Sequence, residues 1–151
     1  MRVRTIALVG CVKTKRPGVR PARDLYASPL FRYRRAYVEA AGTGWYILSA
    51  KHHLLDPGEP VDRYDRTLNE MSAADRRVWG RTVVAQLRDR LGDLGHVDFE
   101  IHAGARYVEA IADGLRAAGA SVRVPTAGRS LGQQLAWYRS RVPALEAGTA
   151  R

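Results

Sequence analysis

The chain has 151 residues, a formal net charge of +10 and an isoelectric point near 10.5. Its length suits one domain with its own core, and no apolar run approaches the roughly 20 residues that a membrane-spanning helix needs. A single cysteine excludes an intramolecular disulfide and is typical of a reducing compartment, so we expect a cytoplasmic protein without membrane association. The positive charge favours a polyanionic partner, either nucleic acid or a phosphorylated metabolite.

Strands and helices are predicted to alternate along the chain. Short apolar runs, such as RTIALVGC at 4–11, are typical of buried strands. Helices are predicted where apolar residues recur at helical spacing behind an N-cap, as after Ser28-Pro29 and after Ser72. In chain order the elements are a strand at 4–11, a helix at 28–41, a strand at 45–49, a loop at 50–71, a helix at 72–91, a strand at 97–101, a helix at 106–118, a strand at 121–124 and a helix at 131–139.

This alternation predicts an α/β fold with a mainly parallel sheet of about four strands and helices on both faces. We expect a single domain over residues 1–142 and a C-terminal tail over 143–151. In open parallel sheets, ligands bind in the crevice beyond the carboxyl ends of the strands. The residues that follow each predicted strand are therefore the first candidates for a functional site.

Lysine is rare in this chain: Lys13, Lys15 and Lys51 are the only lysines among 25 basic residues. Each lies just after a predicted buried strand. Because arginine stays protonated whereas lysine can lose its proton and act as a nucleophile or base, a lysine kept in such a sequence is a candidate catalytic group. A bias toward arginine codons would also leave three lysines by chance.

Other candidates lie at the same predicted strand ends. Cys11 follows the first strand, and Ser49, His52 and His53 lie around the end of the second. The paired histidines do not make a metal site, because adjacent residues point in different directions and no further Cys or His completes a ligand set. We expect no metal and no cofactor. His52 is interpreted as a base or hydrogen-bond donor, with a packing role as the alternative.

Two later segments also carry candidate residues. The loop at 56–65 contains four carboxylates, of which Asp65 is a candidate general acid, base or nucleophile, and its neighbour Tyr64 is a candidate for stacking on a base. Alternatively, these carboxylates pair with nearby arginines on the surface. The small residues at 126–130 precede a predicted helix, where free backbone amides would bind an anion or simply form an ordinary N-cap.

Several short motifs occur in a recognisable order. They are Cys11-x-x-x-Lys15, Asp24-Leu25-Tyr26-x-Ser28-x-x-Phe31, Ile47-Leu48-Ser49-Ala50-Lys51-His52, Leu54-Leu55-x-Pro57, Tyr64-Asp65 and Gly132-Gln133-Gln134-Leu135-x-Trp137. Together they resemble an uncharacterised bacterial and phage domain family. That family is itself similar to the catalytic core of archaeosine synthase, which modifies a 7-deazaguanine base in transfer RNA, and is distantly similar to the YaaA-type peroxide-stress DNA-binding proteins. The resemblance implies a site made from Cys11, Lys15, Ser28, Ser49, Lys51, Tyr64 and Asp65.

We therefore predict an enzyme that acts on a nucleobase, nucleotide or nucleic acid, by base-modifying group transfer or by glycosyl transfer. Lys51 or Lys15, together with Asp65, would carry the chemistry. Two alternatives remain: a non-catalytic nucleic-acid-binding protein, and a nucleotide N-glycosidase that uses Asp65 without a lysine nucleophile. The predicted substrate-binding residues are Cys11, Ser28, Ser49, His52, Tyr64, Thr126, Gly128 and Ser130.

Overall fold

The computed structural model describes residues 3–142, and it has the predicted α/β architecture with a mainly parallel sheet. The tail predicted from residue 143 lies outside the described residues. The strands are β1 (Arg4–Gly10), β2 (Arg20–Pro21), β3 (Gly44–Ser49), β4 (His53–Leu55), β5 (Pro60–Val61), β6 (Val97–His102) and β7 (Ser121–Arg123). The helices are α1 (Ala22–Leu25), α2 (Pro29–Ala40), α3 (Ala73–Leu91), α4 (Ala105–Ala117) and α5 (Leu131–Arg139), with short 3₁₀ turns at Leu68–Glu70 and Leu94–His96.

The main sheet has five strands in the order β4-β3-β1-β6-β7, one more than predicted. β1, β3, β6 and β7 are the four predicted strands, and they run parallel. β4 is the additional strand. It pairs antiparallel with β3, which places Leu55 opposite Ile47 and Leu54 opposite Leu48, and it lies within the segment that the sequence analysis assigned to a loop.

The central strand β1 is buried on both faces of the sheet. Ile6 and Leu8 pack into a cluster with the apolar side chains of α3 and α4. Ala7 and Val9 point the other way and pack against α2, as the two-residue side-chain period of a strand requires. The predicted helices are confirmed as α2, α3, α4 and α5.

The segment that follows β1 is fixed above the carboxyl end of the sheet. The Cys11 amide donates to the Leu48 carbonyl at 2.9 Å, so the chain stays beside β3 as it leaves the strand. Lys15 then forms an isolated antiparallel bridge with Tyr26. These backbone bonds hold the 11–16 segment over the strand ends, where the parallel-sheet rule places ligands.

No helix in the described part of the chain combines the length and the apolar character that crossing a membrane requires.

Candidate functional site

A pocket of about 700 Å³ opens at the carboxyl end of the sheet. Its walls come from the segment after β1, the first turn of α2, the 65–70 segment, the start of α4 and one side of α5. Predicted residues Cys11, Lys15, Ser28 and Asp65 all line it. The lining contains more basic than acidic side chains. The basic ones are Lys13, Lys15, Arg34 and Arg66, and the acidic ones are Asp65 and Glu70.

Lys15 is the most unusual of these groups, because only 8% of this lysine is exposed. Its Nζ donates to the Lys13 carbonyl at 3.2 Å and lies 4.4 Å from the centre of the Tyr64 ring. Burial lowers the pKa of Lys15 below its usual 10.5, although Cys11 and Asp65 act in the opposite direction. At any given pH near neutrality, Lys15 therefore has a larger neutral fraction than an ordinary surface lysine, which is the form that acts as a nucleophile or base.

A chain of hydroxyl groups lies beneath Lys15. The Ser49 hydroxyl donates to the Tyr64 hydroxyl at 2.8 Å, and the Tyr64 and Tyr26 hydroxyls are 2.7 Å apart. Burial raises the pKa of both tyrosines, so both stay protonated at neutral pH. Ser49 and Tyr64 were predicted to contact substrate, but neither lines the pocket. The Tyr64 ring packs against the Lys15 amine.

Cys11 contributes a second polar contact to the pocket. Its thiol lies 3.2 Å from the hydroxyl of Tyr107, which comes from the first turn of α4. Both side chains line the pocket. Burial raises the pKa of Tyr107, so its hydroxyl remains protonated and available for hydrogen bonding at neutral pH.

Lys51 is not brought to this pocket. It lies in the turn between β3 and β4, where its side chain is exposed, so the partial desolvation expected after a buried strand does not occur. The prediction that Lys51 lies with Lys15 is corrected here. The cause is the hairpin: β3 turns directly into β4 instead of crossing over to a helix, and this turn faces solvent.

The two histidines after Lys51 pack beneath and beside the site. The His52 amide donates to the Ser49 hydroxyl, and its ring lies edge-on to Tyr64 at 5.4 Å. The His53 ring stacks on Trp79 at 6.3 Å. Burial lowers the pKa of both histidines. His52 does not line the pocket, and within residues 3–142 no group of three His, Cys, Asp or Glu side chains is arranged to hold a metal ion.

The turn before α5 contains the residues predicted to bind an anion. Thr126 is buried, and Ser130 caps α5 by exchanging hydrogen bonds with Gln133. The amides at positions 127, 129 and 130 all donate within the turn. Gly128 is exposed in a left-handed conformation with φ of 76°, and none of Thr126, Gly128 and Ser130 lines the pocket.

Comparison with protein-family models identifies the family to which this chain belongs. The model of DUF6884, a family of unknown function, matches residues 6–140. The chain belongs to this family. The matched region contains every residue that lines the pocket, so the pocket belongs to the DUF6884 domain itself. No curated protein matches the chain.

Several lining residues of the DUF6884 pocket were not predicted from the sequence, and three of them make polar contacts at the site. Arg34 and Gln134 come from α2 and α5, and Tyr107 comes from α4. The Gly132 to Trp137 motif contained Gln134, but its side chain was not identified as a site residue. Arg34 has two arginine neighbours at 32 and 35, but helical spacing from Leu30 and Val38 places it on the buried face of α2, a signal that a search for apolar residues alone does not use.

Proposed function

We propose that the chain is an enzyme that acts on a nucleobase or nucleotide within this pocket, by base-modifying group transfer or glycosyl transfer. The observation that carries the proposal is Lys15, a nearly buried amine with a lowered pKa at the carboxyl end of the central strand. Lys15 acts as nucleophile or base, and Asp65 takes or returns the proton. A buried lysine with a lowered pKa that borders a cleft is a recognised physical signature of functional sites.

The remaining lining residues fit a nucleotide in size and in charge. A volume of about 700 Å³ lies within the range of small-molecule sites. Val12, Leu131 and Leu135 supply apolar surface for a flat ring, while Lys13 and Arg66 at the rim attract phosphate. Ser28 and Gln134 add side chains that hydrogen-bond. The archaeosine synthase resemblance supports the same substrate class.

Binding to a nucleic-acid polymer is the competing function, since a net charge of +10 is enough to attract one. The two functions differ in where the binding energy arises. A pocket enzyme takes up one nucleotide, whereas a polymer binder distributes its contacts over many phosphates. A pocket of this size, with a perturbed lysine in its wall, favours the first function.

We expect nucleoside monophosphates to bind with 1:1 stoichiometry in isothermal titration calorimetry. The affinity should fall by less than about a factor of ten between 50 and 200 mM salt, because few phosphate charges are neutralised. A single-stranded 20-mer, titrated in parallel, should bind no more tightly per site than the mononucleotide. Binding of the 20-mer alone, with a steep dependence on salt, would refute the pocket function and establish the polymer binder. Release of free base during incubation would identify the reaction as N-glycosidic cleavage.

A further inference from the structure

Arg34 is a buried cation in the wall of the pocket. It lies in α2 and is only 3% exposed. Its Nη2 donates to the side-chain oxygen of Gln134 at 3.0 Å, but its Nε is buried and has no hydrogen-bond partner among residues 3–142. Burial lowers its pKa, although a guanidinium that starts from 12.5 remains charged at neutral pH. The pocket wall therefore contains a charged guanidinium whose Nε–H has no hydrogen-bond partner among residues 3–142.

No carboxylate of residues 3–142 forms an ion pair with the Arg34 guanidinium. Every ion pair within the described residues involves other basic groups, and none involves Arg34. Asp65 and Glu70 line the same pocket, but neither forms an ion pair with Arg34. An isolated buried charge is costly unless an opposite charge joins it. A bound anion supplies that opposite charge without any change in the fold.

Neighbouring groups fix the position of Arg34. Tyr138 lies in α5, and its hydroxyl hydrogen-bonds with the Arg34 guanidinium. The same hydroxyl lies 2.6 Å from Nδ1 of the buried His102. The other ring nitrogen of His102 lies 2.7 Å from the Glu100 carboxylate. This chain of buried polar contacts sets the orientation of the guanidinium before any ligand arrives, which reduces the entropy that binding would cost.

We propose that Arg34 is the centre of an oxyanion subsite that holds the phosphate of a nucleoside monophosphate. The planar fork of arginine matches phosphate oxygens in a bidentate arrangement. Gln134 orients the guanidinium from α5, and Lys15 lines the same pocket, where it can face the nucleoside end of the ligand. This inference rests on the proposed function and adds to it a reason for selecting nucleotides over nucleosides.

The test compares each nucleoside with its monophosphate by isothermal titration calorimetry, using the full chain. The wild type should bind the monophosphate about 10- to 100-fold more tightly, which is the range for hydrogen bonds to a charged group. Gln134→Glu should reduce this preference to about threefold or less, because the new carboxylate would pair with Arg34 and compete with phosphate.

Two further variants separate the subsite from folding and from overall charge. Arg34→Met should also abolish the preference, and its urea unfolding curve shows whether the variant is folded. Arg81→Met removes one charge from the exposed surface of α3, away from the pocket, and should keep the full preference. Inorganic phosphate should raise the melting temperature of the wild type but not that of Gln134→Glu.

The possible failures are distinguishable. Equal affinity of the wild type for nucleoside and monophosphate would overturn the subsite and leave the proposed function standing. Retention of the preference in both Gln134→Glu and Arg34→Met would place the phosphate elsewhere in the pocket. If the wild type bound neither ligand, the proposed function would fail together with the inference.

Discussion

Lys15→Met is expected to lower turnover by about 10²- to 10⁴-fold on any nucleotide that the chain converts, while the protein remains folded. The loss follows because methionine has a similar length but no group that can accept a proton or attack a carbon. The variant also removes a desolvated amine, so its free energy of unfolding at neutral pH should equal or exceed that of the wild type. Steady-state kinetics and urea unfolding measure the two effects.

The pH dependence of stability gives Lys15→Met a second readout. Because the pKa of Lys15 is lowered in the folded state, the unfolded chain binds more protons between that pKa and 10.5. In this window the stability of the wild type should rise with pH relative to the variant, and the difference between them should become independent of pH above 10.5. Lys13→Met is the matched control, since Lys13 lines the same pocket but is exposed. Full turnover in Lys15→Met would remove this lysine from the chemistry.

Gly80→Ala is expected to destabilise the protein by about 2 to 3 kcal/mol, although alanine is the better helix former by about 1 kcal/mol. Gly80 lies in α3, where α4 crosses closely. A Cβ at this position would overlap the carbonyl oxygen of Ala110 and lie 2.8 Å from its carbonyl carbon. Backbone atoms cannot rotate away as a side chain can, so the two helices would have to separate. Urea unfolding monitored by circular dichroism gives the change.

Gly114→Ala provides the matched control on the facing helix. Its added Cβ would meet Cγ2 of Val84 at 3.2 Å, and that side chain can shift by a few tenths of an ångström. We expect stability within about 1 kcal/mol of the wild type, since the gain in helix propensity offsets a small adjustment. If Gly80→Ala were as stable as Gly114→Ala, the close α3–α4 packing described here would be incorrect.

The main elements of the fold followed from local patterns, but β4 did not. Its three residues are too few to show alternation, and the turn before it contains no glycine or asparagine to mark a hairpin. The turn instead uses His53 with a φ of 65°, which a non-glycine residue seldom adopts. The pairing of Leu54 and Leu55 with β3 buries both leucines, and this burial offsets the cost of the unfavourable His53 backbone conformation. The burial depends on the whole sheet, so a local pattern does not reveal it.

Dependence on contacts between distant parts of the chain also decides which site residues the sequence could predict. The rule for strand ends correctly placed Cys11 and Lys15 at the pocket, because β1 is central and its neighbours on both sides are parallel. The rule failed for Lys51, since the strand before it continues into a hairpin. The contact of Arg34 with Gln134 was missed because Gln134 lies 100 residues further along the chain. Such a contact leaves no trace in the local pattern.

Titration of the three lysines by nuclear magnetic resonance tests the central claim most directly. Biosynthetic labelling with ¹³C,¹⁵N-lysine gives one side-chain signal each for Lys13, Lys15 and Lys51, and lysine-to-arginine variants assign them without any chemical modification. Because burial lowers the pKa of Lys15, its Cε and Nζ shifts should change at a pH below 10.5, the usual pKa of lysine, and of the three lysine signals a bound nucleotide should perturb that of Lys15 most. A Lys15 signal that titrates at 10.5 and does not respond to any nucleotide would contradict the account.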